Sequence, residues 1–89
     1  MSESERIPSA RMIRAARALL NLGQAQLGAL VGVDRRTIIR LEADKIQPQN
    51  PRRTTILVAI RDVLEKDKEI CFVYADKTTG EGVTMKRGK

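Results

Sequence analysis

Histidine and tryptophan are absent from these 89 residues, and cysteine, phenylalanine and tyrosine each occur once. Without imidazole, and with Cys71 as the single thiol, the chain cannot build a Cys/His zinc site, an internal disulfide or a histidine-dependent catalytic arrangement. Clustered carboxylates and a glycine-rich phosphate loop are also missing, so no enzyme, metal or cofactor is expected. Cys71 reads as a small buried hydrophobe, with redox sensing as the other reading. No apolar run is long enough to span a membrane and the N-terminus lacks a signal-peptide core, which predicts a cytoplasmic protein. The dearth of aromatic side chains leaves an aliphatic core, which suits short helices better than a β-sandwich.

What is present is positive charge. Seventeen Lys and Arg against eleven Asp and Glu give a net charge of +6, spread along the chain and not gathered in one run. That balance fits a polyanionic partner, with a soluble basic protein without one as the lesser reading. A chain of this length makes one domain at most. It buries only a small core, so dimerisation would help it.

The pattern predicts a polar, disordered tail over residues 1–8, a helical domain over 9–67 and a C-terminal segment over 68–89. Ser9 is a helix N-cap, and Ile13, Ala16 and Leu20 follow helical spacing, with Arg11, Arg14 and Ala18 facing outward. Asn21-Leu22-Gly23 ends this helix. A second runs from about Gln24 to Val31, and Gly32 supplies the positive φ of a sharp turn. Asp34 caps a third helix, from about Arg35 to Ala43. After a loop over residues 44–49, Asn50-Pro51 starts a fourth, with an apolar stripe of Ile56, Leu57, Ile60, Val63 and Leu64, ending near Asp67. Ile70 to Tyr74 and Val83 to Met85 are β-like runs around turn material from Lys77 to Gly82, which predicts a β-hairpin.

The most informative stretch is Gln24 to Glu42. Two short amphipathic helices are joined by a turn on Gly32. Leu27, Val31, Val33, Ile38 and Leu41 are placed to hold them together, and Gly28 is small where the third helix would cross the second. The third helix carries Arg35, Arg36 and Arg40 on one face and Ile38 and Leu41 on the other. This is the pattern of a helix-turn-helix whose second helix enters the DNA major groove. Ile39, between the arginines, either touches a thymine methyl or shields the rim of the core, and the rim is the preferred reading.

From about Ile13 to Leu64 the sequence resembles the lambda-repressor and Cro-like, or Xre, helix-turn-helix family. The resemblance rests on Arg17, the Gln24-to-Val33 run and Thr37-Ile-Ile-Arg-Leu-Glu. It implies a lambda-repressor-like bundle of four short helices, mainly α, here with a C-terminal β-hairpin. It also implies base reading by Arg35, Arg36 and Arg40, and phosphate contacts by Gln24 and Thr37. Lys45, Arg52 and Arg53 would position the backbone, and Arg17 would pair with Glu42. Electrostatics calls for the same pair, because a glutamate on a DNA-binding helix repels phosphate unless neutralised. The family usually has Ser, Thr or Asn where this chain has Gly23, which weakens the cap by only about a few tenths of a kcal/mol. Many phage repressors carry a fifth, dimerising helix where this chain has its hairpin.

The expected function is a sequence-specific double-stranded DNA-binding transcriptional regulator, a repressor or small controller, on a palindromic operator. The alternative is an antitoxin or antiactivator whose hairpin binds a protein partner. Both faces of the first β-run are largely apolar. One can cover helix four, and the other is expected to meet a second subunit in a homodimer, with Ile70, Phe72 and Tyr74 at the interface. No sensing domain is expected.

Overall fold

Three of the helices start on a residue whose side chain accepts from an open backbone N–H group. The computed structural model describes residues 6–43 and 50–86. Helix α1 spans Ala10–Leu20, and the Ser9 hydroxyl accepts from the Met12 N–H at its start. It closes at Asn21 in the left-handed region, φ 56°, where the Asn21 and Leu22 N–H groups reach back to Ala18 and Arg17. Helix α2 spans Gln24–Val31. Gly23 has no side chain to cap with, so the Gln26 carboxamide folds back to accept from the Gly23 N–H at 2.7 Å. Gly32 ends α2 at φ 79°, as expected for its turn.

Helix α3 spans Arg35–Glu42, capped by Asp34, and helix α4 spans Pro51–Asp67, capped by Asn50 with proline in its first turn. Strands β1 (Ile70–Val73) and β2 (Gly82–Met85) form an antiparallel hairpin, Ile70 facing Met85 and Val73 facing Gly82. The expected helices and hairpin are therefore all present. The architecture is mainly helical with a two-stranded C-terminal sheet.

The core is aliphatic. Met12, Ile13 and Ala16 from α1 meet Leu27 from α2, Ile38 and Leu41 from α3, and Ile56, Leu57, Ile60 and Leu64 from α4. Ile70 and Phe72 belong to the same cluster. The hairpin is thus part of the one core, with β2 against α1 and β1 against α4. Pro8, placed by sequence in the N-terminal tail, is buried, and the Arg6 carbonyl accepts from Arg61 Nη1 at 2.7 Å.

This packing corrects the expected dimer surface. Strand β1 alternates buried and exposed positions: Ile70 is 2% and Phe72 6% exposed, and Tyr74 is half-buried beside them. Their own helices cover Ile70 and Phe72, so these two are not available to a second copy. The hairpin instead turns Cys71 and Thr84 outward, with Val73 half-buried on the same face. Cys71 is accordingly exposed, not the buried hydrophobe its neighbours suggested.

Gly28 is also placed more narrowly than expected. A Cβ there would lie 2.5 Å from the Val33 carbonyl oxygen and 3.3 Å from that of Asp34. The crossing that excludes a side chain is the turn leading into α3, not α3 itself. The Val33 N–H donates to the Gly28 carbonyl at 2.9 Å, which holds the turn down on α2.

Candidate nucleic-acid interface

Helix α3 has two unlike sides. Ile38 and Leu41 are fully buried and Glu42 is 4% exposed, whereas Arg35, Arg36 and Arg40 are all exposed. The apolar side docks on the bundle, and docking forces the guanidinium groups outward together. Asp34 sets where this helix begins. Its carboxylate accepts from the Thr37 N–H at 2.8 Å and from the Thr37 hydroxyl at 2.6 Å. These two bonds, the hydroxyl's first, hold the Asp34 carboxyl below the usual carboxylate range.

The other end of α3 is fixed from beneath. Glu42 is the buried charged residue among the described residues. Arg17 Nε donates to its Oε2 at 2.7 Å and Arg17 Nη2 to its Oε1 at 2.8 Å, a two-pronged pair. Arg17 Nη1 also donates to the Leu22 carbonyl at 3.0 Å, so one guanidinium ties α3 to the α1–α2 connection. The Arg17 pKa is raised, first by the hydrogen bonds to Glu42 and against the effect of burial. Gln24, opening α2, donates from Nε2 to Glu42 Oε1 at 3.2 Å. Arg14 donates to the Glu42 backbone carbonyl. Helical spacing alone turns Arg14 outward and gives it no role. It is exposed, yet it supplies a cation to the open carbonyl end of α3. Nothing local in the sequence signals this, because 28 residues separate the two groups.

Gln24 stands in the first turn of α2, Arg52 in the first turn of α4, and Thr37 with the three arginines on α3. Thr37, Arg40, Asn50, Arg52 and Ile56 line a shallow cleft between α3 and the start of α4, whereas Arg35 and Arg36 lie outside it. Arg52 is exposed and Arg53 half-buried. Thr37 does not have a free proton, since its hydroxyl donates to Asp34. Lys45 lies outside the described residues. Ile39 does not shield the core rim as preferred from sequence: it is 38% exposed.

Residues 13–52 match the helix-turn-helix family model. Over this segment the chain is similar to helix-turn-helix proteins of the Xre, lambda-repressor-like family. The match runs from the core residue Ile13 through α2 and α3 to Arg52, so it takes in the arginine face and the Arg17–Glu42 pair. No curated protein matches the chain. The helix-turn-helix makes this a DNA-binding regulator domain. Among the described residues no helix is long and apolar enough to cross a membrane.

Proposed function

We propose that this Xre-type protein is a sequence-specific regulator of transcription, a repressor or small controller, that binds a palindromic operator as a homodimer. Helix α3 lies in the major groove. Arg36 and Arg40, with Arg35 at the helix start, donate paired hydrogen bonds to guanine O6 and N7. Gln24, Arg52 and Arg53, together with Lys45, hold phosphates, which sets register and adds affinity without reading sequence. Thr37 joins them by turning its hydroxyl from Asp34 to donate a hydrogen bond to a phosphate oxygen.

The observation that carries this reading is the division of α3. Its arginines are exposed on one side, while its one carboxylate is buried and paired on the other. A buried, neutralised Glu42 leaves the groove-facing side free of the repulsion that an exposed glutamate would bring. One such domain spans few base pairs. Two copies on half-sites about one helical turn apart supply the remaining specificity. The outer-face hairpin residues Cys71, Val73 and Thr84 are the surface we assign to the pairing.

Selection of bound duplexes from a random library, followed by titration of the winning sequence, tests the reading. Arg36→Ala or Arg40→Ala should cost about 1–3 kcal/mol on the selected duplex and relax preference at one base pair. Arg52→Ala should weaken selected and random DNA alike and lower the salt slope by about one. Equal losses on both duplexes for Arg36 and Arg40 would overturn the base-reading assignment.

A further inference from the structure

An aliphatic side chain stands in the middle of the cationic face of α3. At about 100° per residue, the outward arc runs from Arg35 through Ile39, Ala43 and Arg36 to Arg40. All five residues are exposed. The core does not need Ile39, because Ile38 and Leu41 are fully buried on the opposite side. Single exposed aliphatics are ordinary on protein surfaces. This one is flanked on both sides by arginines, so whatever polyanion those arginines meet must also accommodate it.

In a major groove that requirement is restrictive. The base edges present oxygen and nitrogen acceptors and amino donors, and phosphates line the rim. Packing an isoleucine against any of these strips water from polar atoms and returns no hydrogen bond. The one apolar group on offer there is a pyrimidine C5-methyl. We propose that Ile39 is a specificity residue that packs on a pyrimidine C5-methyl group, so that each half-site carries such a methyl beside the guanines read by Arg35 and Arg36. The inference rests on the DNA-reading function proposed above. Thymine and 5-methylcytosine present the same methyl group, and the experiment separates them.

The test uses the full chain and the duplex enriched from a random library. Each thymine is replaced in turn by uracil, which removes only the methyl. In a second series each cytosine is replaced by 5-methylcytosine. Wild type and Ile39→Ala are titrated in parallel, with thermal unfolding to confirm that the exposed substitution leaves the fold intact. We expect one thymine at which uracil weakens wild-type binding about fourfold, the worth of one buried methyl group, and to which Ile39→Ala is indifferent. If methylation of one cytosine instead tightens wild-type binding by a similar factor, and not that of Ile39→Ala, the methyl belongs to modified cytosine. Wild type indifferent to both series, or Ile39→Ala responding as wild type does, would overturn the inference. Arg36→Ala on the same duplex keeps the two readings apart. If it relaxes specificity while the uracil series is flat, Ile39 alone fails. A library that enriches no sequence defeats both.

Discussion

At the residue scale, the arginine-bearing helix depends on a carboxylate that faces away from its arginines. Glu42 takes both prongs of Arg17 and one N–H of Gln24, and it is almost completely buried. Removing Arg17 strands the Glu42 charge in a place water barely reaches. Arg17→Ala should therefore destabilise the fold by about 3 kcal/mol or more, whereas Arg17→Met with Glu42→Leu should recover much of the loss. Denaturant unfolding of the two single variants and the double variant measures the coupling, and a coupling energy of zero would rule out the role given to this pair. The family pattern made the pair legible from Arg17 and Glu42 alone. Arg14 was not legible, because its contact is with a backbone carbonyl and any cation in reach would serve.

At the element scale, the turn into α3 is held by two local devices, each with its own test. Gly28→Ala places a methyl group 2.5 Å from the Val33 carbonyl oxygen, and backbone must shift to admit it. We expect a loss of about 1–3 kcal/mol in denaturant unfolding, typical of overpacking, although alanine is the better helix former. An unchanged or raised stability would show that the turn yields freely. Asp34 is the second device. Its folded-state pKa is depressed, so its stabilisation is fully present above the ordinary aspartate pKa, about 4, and is lost as pH falls through the depressed value. Asp76 and Glu81 are depressed in the same sense. Asp76 is held down first by the backbone N–H groups of Thr78 and Thr79, and Glu81 by its hydrogen bonds from Arg11 and Ser9. Acid should therefore loosen the cap of α3 and the anchor between the hairpin and α1 in one window, below about pH 4. Asp34→Asn keeps an acceptor at the cap but cannot titrate. Its melting temperature should fall less than that of wild type between about pH 5, above the ordinary aspartate pKa, and about pH 3, below it. Parallel curves would remove Asp34 from the account.

At the scale of the whole molecule, the hairpin is both core and candidate interface. Ile70 and Phe72 close the bundle, so deleting everything after Lys68 should unfold the chain and not merely yield a monomer. Far-UV circular dichroism of the truncated chain checks this, and a cooperative, fully helical melt would refute it. Dimerisation is better tested on the outward side. Val73→Lys with Thr84→Lys leaves the core untouched and places like charges on the surface assigned to pairing. Sedimentation equilibrium in the low micromolar range should find a dimer for wild type and a monomer for this variant, with weaker operator binding. A monomeric wild type, or a variant still dimeric, would sink the assignment.

What the sequence determined by itself is what is local. Ser9, Asp34 and Asn50 meet their N–H partners within three residues, and Gly32 needs only its own φ, so helix starts and the sharp turn could be read directly. The arginine face was equally readable, since 3.6-residue spacing separates Arg35, Arg36 and Arg40 from Ile38 and Leu41. What tertiary structure decided is which surface covers which. The run Ile70 to Tyr74 is apolar on both faces, and the pleat says only that the faces differ. Packing on α4 chose Ile70 and Phe72 as the inner face and left Cys71 and Val73 on the outer one. Glu69 shows the same limit at the junction before β1. It takes φ 60° with no glycine to announce it, and its carbonyl accepts from the Lys86 N–H at 2.9 Å to close the hairpin. A left-handed residue without a side-chain signal is stabilised by the contacts it permits. The contact with Lys86 exists only once the two strands have paired.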